Sequence, residues 1–310
     1  MLKNVSNKTL GISFTALLII AFIIIISDSG SNERSFRTEL VDIDTSAVSQ
    51  IVIYPKKLSG DDVRLFAEDD KWKVELADGK TAPVSQSKIE ELFRQLTEIK
   101  PERLAARGES SWAEFEVDSG ATRVEVYEGS SKTLDLVIGK FTFQQPRTMK
   151  SYVRLADDTD VYEVNAFLGM TFNQDANGFR DQTVIQDDPG DWKNLAYSYP
   201  ADSSYQIVNI NDKWQLSDGG ELDSAKTATT LRQISNTRGS EFVDIEQETL
   251  PLPQYKLTIV KEDDSQIEVF GYEFDDKVIF NSSQNPEAYF DGSKGNLFKR
   301  IFVGWKKFTE

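Results

Sequence analysis

Apolar residues fall into three patterns along this chain. The first is continuous: Leu10–Ile26 holds seventeen residues without a charge, twelve of them Leu, Ile or Phe. The second is short and alternating. Ile51–Tyr54, Lys71–Val74, Arg123–Tyr127, Leu134–Ile138, Lys256–Val260 and Gln266–Phe270 each read as a strand with one or both faces buried. The third recurs at helical spacing, at Ile89, Leu92, Phe93 and Leu96, then at Ala228, Leu231 and Ile234. Asp78-Gly79, Ser119-Gly120, Glu128-Gly129 and Asp218-Gly219-Gly220 punctuate the strands as turns. Long helical periods are scarce, so βαβ crossovers are few. The pattern predicts an α+β fold: an N-terminal transmembrane helix, then two antiparallel sheets, each with packed helices.

As a helix, Leu10–Ile26 would span about 26 Å, close to the ~30 Å of bilayer hydrocarbon. Leu10, Leu17, Phe22 and Ile26 mark this membrane anchor. Lys3 and Lys8 precede it, while Asp28 and Glu33 follow, which places the N-terminus in the cytoplasm and the bulk outside. The run exceeds the 7–15 residues of a signal-peptide core, and no cysteine follows it for lipidation, so it reads as an uncleaved signal anchor of a bacterial cytoplasmic membrane protein. The predicted organisation is a cytoplasmic tail and anchor over 1–27 and a Ser/Gly-rich tether over 28–38, reaching at most ~40 Å. Two related extracytoplasmic units follow, over 39–183 and 184–310.

The relation between those units rests on order and spacing. Pro55, Trp72, Leu104 and Tyr162 match Pro200, Trp214, Phe242 and Tyr289 at offsets of 145, 142, 138 and 127. A steadily falling offset is what shorter loops in one copy produce; chance matches scatter.

Composition then removes chemistry. The 310 residues include no histidine and no cysteine. Ser-His-Asp triads, Cys-His pairs, thiolate sites, His-ligated zinc and disulfides are therefore excluded. A net charge of −16 repels phosphate backbones and argues against nucleic-acid binding. No Gly-rich phosphate loop occurs, and no cofactor or metal is implied.

The remaining motifs have plain structural readings. Ser85-Gln86-Ser87-Lys88 matches the Ser-x-x-Lys start of penicillin-binding enzymes, but Ser-Asp-Asn and Lys-Thr-Gly companions are missing. Ser87 and Glu90 instead suit a capping box. In the second copy Ser85 falls on Asp223, a swap that a cap tolerates and a nucleophile does not. Asn173, Asp175, Asn177, Gly178 and Asp181 match early positions of a calcium loop, yet Val184 stands where the bidentate Glu belongs. Asp157-Asp158-Thr159-Asp160 reads as a solvated turn. Trp72 and Trp214 read as buried strand residues. At the C-terminus, Phe298, Phe302 and Trp305 fall at helical spacing among Lys306, Lys307 and other basic residues. That is an amphipathic surface for a partner or membrane, or else the closing helix of the second copy.

With the anchor, Ile51–Tyr54, Lys71–Val74, Trp112-Ala113-Glu114-Phe115, Tyr152-Val153-Arg154-Leu155 and Phe179-Arg180-Asp181-Gln182-Thr183 in this order, the chain resembles the bacterial domain-of-unknown-function family 4340. Glu116-Val117-Asp118 departs from the usual Gly-Leu-Asp. The family has no established catalytic residues to carry over. The resemblance implies an accessory subunit of an ABC-type transporter, partnered with its permease or an auxiliary subunit on the extracytoplasmic face. An envelope glycan- or peptide-binding module is the alternative, and a carboxylate-based hydrolase the second.

Overall fold

The computed structural model describes residues 37–309, apart from 59–60, 78, 145–147, 202 and 246. One sheet holds nine strands: β1 (Val48–Tyr54), β2 (Val63–Glu68), β3 (Lys71–Glu75), β4 (Thr81–Pro83), β5 (Pro101–Ala106), β6 (Thr122–Glu128), β7 (Ser131–Gln144), β8 (Thr148–Leu155) and β9 (Val161–Val164). Their spatial order is β4-β3-β2-β1-β6-β7-β8-β9-β5. Among later strands, β10 (Thr183–Gln186) pairs with β14 (Asn236–Arg238) as a separate ribbon. The others are β11 (Trp192–Ser198), β12 (Tyr205–Ile210), β13 (Lys213–Leu216), β15 (Tyr255–Lys261), β16 (Gln266–Phe274), β17 (Lys277–Ser282) and β18 (Asn285–Asp291). They form a second sheet in the order β13-β12-β11-β15-β16-β17-β18. Helices are α1 (Gln86–Thr97), α2 (Trp112–Phe115), α3 (Gly169–Phe172), α4 (Ala176–Phe179), α5 (Ser224–Ile234) and α6 (Leu297–Ile301).

This corrects the α+β expectation. The described residues form a multi-sheet fold, mostly antiparallel strand, whose longest helix has twelve residues. No helix among them is long and apolar enough to cross a membrane. The apolar period of 3.6 persists only in α1 and α5, whereas alternation runs through nearly every other segment. Leu10, Leu17, Phe22 and Ile26, named above as the anchor, lie outside the described residues.

Both sheets follow one plan. Ile51 sits between Leu65 and Val126, as Leu195 sits between Ile207 and Ile259. Asp69-Asp70 and Asn211-Asp212, all four at positive φ, close the next hairpin in each sheet. Two successive positive-φ residues give the turn whose twist matches paired strands. Leu76 then bonds Lys80 as Leu216 bonds Gly220. Leu104 pairs with Tyr162 in the first sheet, and Phe242 with Phe290 in the second. These pairings shift two sequence matches by a residue: β1 and β11 align at an offset of 144, and Tyr162 corresponds to Phe290 rather than Tyr289.

Each sheet buries one face under its longer helix. In the first, Ile51, Ile53, Leu65, Val124 and Leu136 meet Ile89, Leu92 and Leu96 of α1. In the second, Leu195, Ile207, Leu257 and Val269 meet Leu231 and Ile234 of α5. A smaller apolar cluster covers part of the other face, around Val117, Val137 and Tyr152 in one sheet and around Tyr272, Ile279 and Tyr289 in the other.

β7 is the exception to strand matching. Its pairing with β6 ends at Ile138, but its pairing with β8 continues to Gln144. The register breaks between Ile138 and Phe141, at Gly139. A Cβ there would meet the Phe115 carbonyl oxygen at 2.2 Å and Val117 Cγ1 at 2.6 Å. The strap that crosses so closely is itself fixed, because Arg154 stacks on Trp112 and its Nε donates to the Val117 carbonyl. Just beyond, Glu163 of β9 is buried and paired with Arg103 of β5 and Lys150 of β8. Burial opposes its ionisation, but the two cations overcome that and hold its pKa below the usual glutamate value.

Two predictions follow from this frame. Gly139→Ala must displace a backbone segment and should cost about 2–4 kcal/mol in chemical denaturation, where Gly120→Ala, at an open turn, costs under about 1. Glu163→Gln removes one of the two carboxylates on half-buried Lys150, whose contact with Glu102 remains, together with the partner of Arg103, and should cost about 1–2 kcal/mol at pH 7. Because the folded pKa lies below the unfolded one, this stabilisation is complete above about pH 4.3 and fades as pH falls through the lowered value. Denaturation curves at pH 7 and pH 3 should therefore converge for Glu163→Gln relative to wild type.

Candidate functional site

The β7–β8 extension forms an arm whose two strands have no other sheet partner among the described residues past Ile138 and before Ser151. Phe141, Phe143 and Met149 share one face of it, since Phe141 faces Ser151 and Phe143 faces Met149 across the pair. Phe167 meets the Phe141 ring edge-on at 4.7 Å, and Met170 of α3 adds a further apolar group from the same segment. Exposure is 54% for Phe141, 56% for Phe143, 42% for Met149 and 69% for Met170. Large apolar side chains exposed to this degree number seven among the described residues; four of them lie here. Such clustering sets this surface apart from the scattered single apolar groups elsewhere.

The arm is rigidly based and points away from where the chain enters. Gly139 and the strap over it set its direction, and Lys140 Nζ donates to the Glu114 carbonyl. The Ser151 hydroxyl donates to the Ala166 carbonyl, holding the segment that carries Phe167 and Met170. At the opposite end of β7, Arg37 pairs with Asp158, and residues 37–42 lie beside Lys132–Asp135. Eleven residues of strand, about 36 Å, separate Lys132 from Phe143.

The residues named from sequence are distributed otherwise. The C-terminal stretch is not one amphipathic helix: α6 stops at Ile301, and Phe302 leaves helical geometry at φ −90°, ψ 77°. Phe302 is buried and Phe298 half-buried; their rings stack on one another, and Phe302 stacks on Phe280 while Phe298 meets it tilted. The second core removes both from the predicted surface. Trp305, Lys306 and Lys307 remain exposed. Trp305 borders a cavity of about 590 Å³ with Tyr199, Tyr205 and Asp218. The hydroxyls of Tyr199 and Tyr205 both donate to the Val303 carbonyl, and burial raises the pKa of each.

The Phe179–Thr183 motif joins the halves. Arg180 is buried, stacks on Phe242 at 3.9 Å, and bonds Asn177 and Asp244. The Asp181 amide donates to Pro83, while Asn285 donates to the Asp181 carbonyl and the Gly239 amide to Gln182. The oxygens of the calcium-like loop serve these bonds. Asp175 caps α4 and pairs with Lys57, Asn173 accepts from the Lys57 amide, and Asp181 accepts from Thr183. Asp158 likewise accepts from the Asp160 amide within its turn. Ser85 precedes α1 without capping it through its side chain, which corrects the Ser87–Glu90 capping box; Asp223 does cap α5. Trp72 is half-buried against Phe93. The arm went unread in the sequence, although Phe141-Thr142-Phe143 resumes the alternation of Leu134–Ile138 beyond Gly139, one residue out of phase.

No curated protein matches the chain. A solved Bacteroides fragilis structure, described as a putative outer membrane protein, is similar at 10% identity over 78% of this chain and 92% of the other, with a TM-score of 0.14. Residues 72–258 match the family model Domain of unknown function (DUF4340); this is more than half of the chain, and the chain belongs to that family.

Proposed function

We propose that this protein is a membrane-attached accessory subunit that binds a protein partner outside the cytoplasmic membrane, through the apolar face of the β7–β8 arm. The observation that carries the reading is the concentration of exposed Phe141, Phe143, Met149 and Met170 on one rigidly based projection. The run Leu10–Ile26 supplies the membrane attachment, and the few residues between it and Arg37 keep the sheets near the bilayer. Because the arm lies about 36 Å along β7 from the entry point, a protein standing off the membrane suits it better than the lipid beneath. The family resemblance names the class of partner: the permease or auxiliary subunit of an ABC-type transporter.

A second reading, an envelope glycan- or peptide-binding module, draws on exposed Trp305 beside the Tyr199–Tyr205 cavity. A flat indole with neighbouring hydroxyls and a carboxylate suits sugar stacking. Quenching of tryptophan fluorescence by wall fragments, abolished in Trp305→Ala, would favour it.

The half-exposed rings leave about 1–1.5 kcal/mol each to be gained on docking. Phe141→Ser/Phe143→Ser should therefore weaken partner co-purification about 30- to 100-fold, with the melting temperature nearly unchanged. Undiminished co-purification of the double variant removes the arm from the interface.

A further inference from the structure

We propose that the helical layer closing the second sheet docks on an anionic phospholipid surface, through its lysines and arginines and the indole of Trp305. The inference rests on the membrane attachment proposed above and is independent of the arm.

Charge in this chain is segregated. Residues 224–240 and 292–309 hold eight of the 35 lysines and arginines and none of the 51 aspartates and glutamates. The fold brings these two segments together. The Asp223 amide at the start of α5 donates to the Phe308 carbonyl, and the Arg300 guanidinium donates to the Asn236 carbonyl just past its end. Lys226 and Lys307 border one shallow cavity with Thr229 and Gln233. Lys226, Arg232, Lys299, Arg300, Lys306 and Lys307 are all exposed. Elsewhere on this unit lysines are matched: Lys193 with Asp264, Lys256 with Glu268, Lys261 with Asp187 and Lys277 with Asp291. Arg232, Lys299, Arg300 and Lys307 form no ion pair among the described residues. Asp223, at the edge of the layer, spends its carboxylate capping α5. In a chain of net charge −16, such a face attracts a negative surface that the rest of the molecule repels.

Three features favour lipid over an acidic protein. Five of the eight cations are lysine, a residue depleted in protein interfaces but suited to the smeared negative potential of anionic head groups. Trp305, 43% exposed, lies in sequence between Arg300 and Lys306, and its amphipathic ring suits the head-group level. The chain from Ile26 to Arg37 reaches at most about 40 Å, so the attachment already holds a bilayer within range. Phe302 takes no part, since it lies in the second core. The contact is therefore made by charge and one indole, and not by an inserted amphipathic helix. Each cation near an anionic surface is worth about fivefold in the docking equilibrium.

The test uses the full chain reconstituted into vesicles of phosphatidylcholine, alone or mixed equally with phosphatidylglycerol, whose brominated acyl chains quench nearby indoles. Emission should be quenched more in the mixed vesicles, and Trp305→Phe should abolish the difference. About 1 M sodium chloride, which screens charges beyond ~3 Å, should abolish it too. Lys299→Gln/Arg300→Gln and Arg232→Gln/Lys307→Gln should each lower the ratio of docked to free protein about 30-fold, with the melting temperature nearly unchanged because all four side chains are exposed. Phe141→Ser/Phe143→Ser should leave the quenching as it is. A high-salt wash reports the Leu10–Ile26 attachment separately: a chain that washes off contradicts that reading, whereas one that stays on the vesicles but is never quenched contradicts only this one. Equal quenching in the two kinds of vesicle, or none in the mixed vesicles, as an acidic protein occupant would give, overturns the proposal.

Discussion

A strand longer than its neighbours is the constraint on which this architecture turns. β7 is both a central strand of the nine-stranded sheet and one side of the arm. It can do both only because Gly139 lets the Trp112–Val117 strap pass across the backbone where β6 stops pairing. On one side of that point alternation buries Leu134, Leu136 and Ile138 in the core; on the other it exposes Phe141 and Phe143. The strap and the Glu163 ion cluster hold the base, so the apolar face is presented in a fixed direction rather than folded back.

The second constraint is the junction. Arg180 gives up hydration to lie between Phe242 and Asp244, and the flanking backbone bonds Pro83 on one side and Gly239 and Asn285 on the other. A buried guanidinium with one exposed carboxylate partner fixes orientation more than it stabilises. The arm stands on the first sheet alone.

Much of this was legible in the chain. Apolar spacing located α1 and α5, and alternation located β3, β6, β15 and β16. The Trp72 and Trp214 positions gave the offset that the Asp69-Asp70 and Asn211-Asp212 turns share. What failed did so for non-local reasons. Whether Phe141-Thr142-Phe143 is core or surface depends on where β6 begins, at Thr122, some twenty residues earlier in sequence. Phe298, Phe302 and Trp305 share a helical spacing, but the core that receives Phe302 breaks the helix before Trp305. Ser85 looks like any helix cap until the bonds of its hydroxyl are traced.

The account's central claim is that the arm meets a protein partner away from the lipid. Site-specific photocrosslinking from position 143 in intact cells tests it most directly, with Lys213 on the far edge strand as the control position. The account predicts a discrete protein adduct from position 143 and none from 213. Adducts to lipid alone from position 143, or equal adducts from both positions, would contradict it.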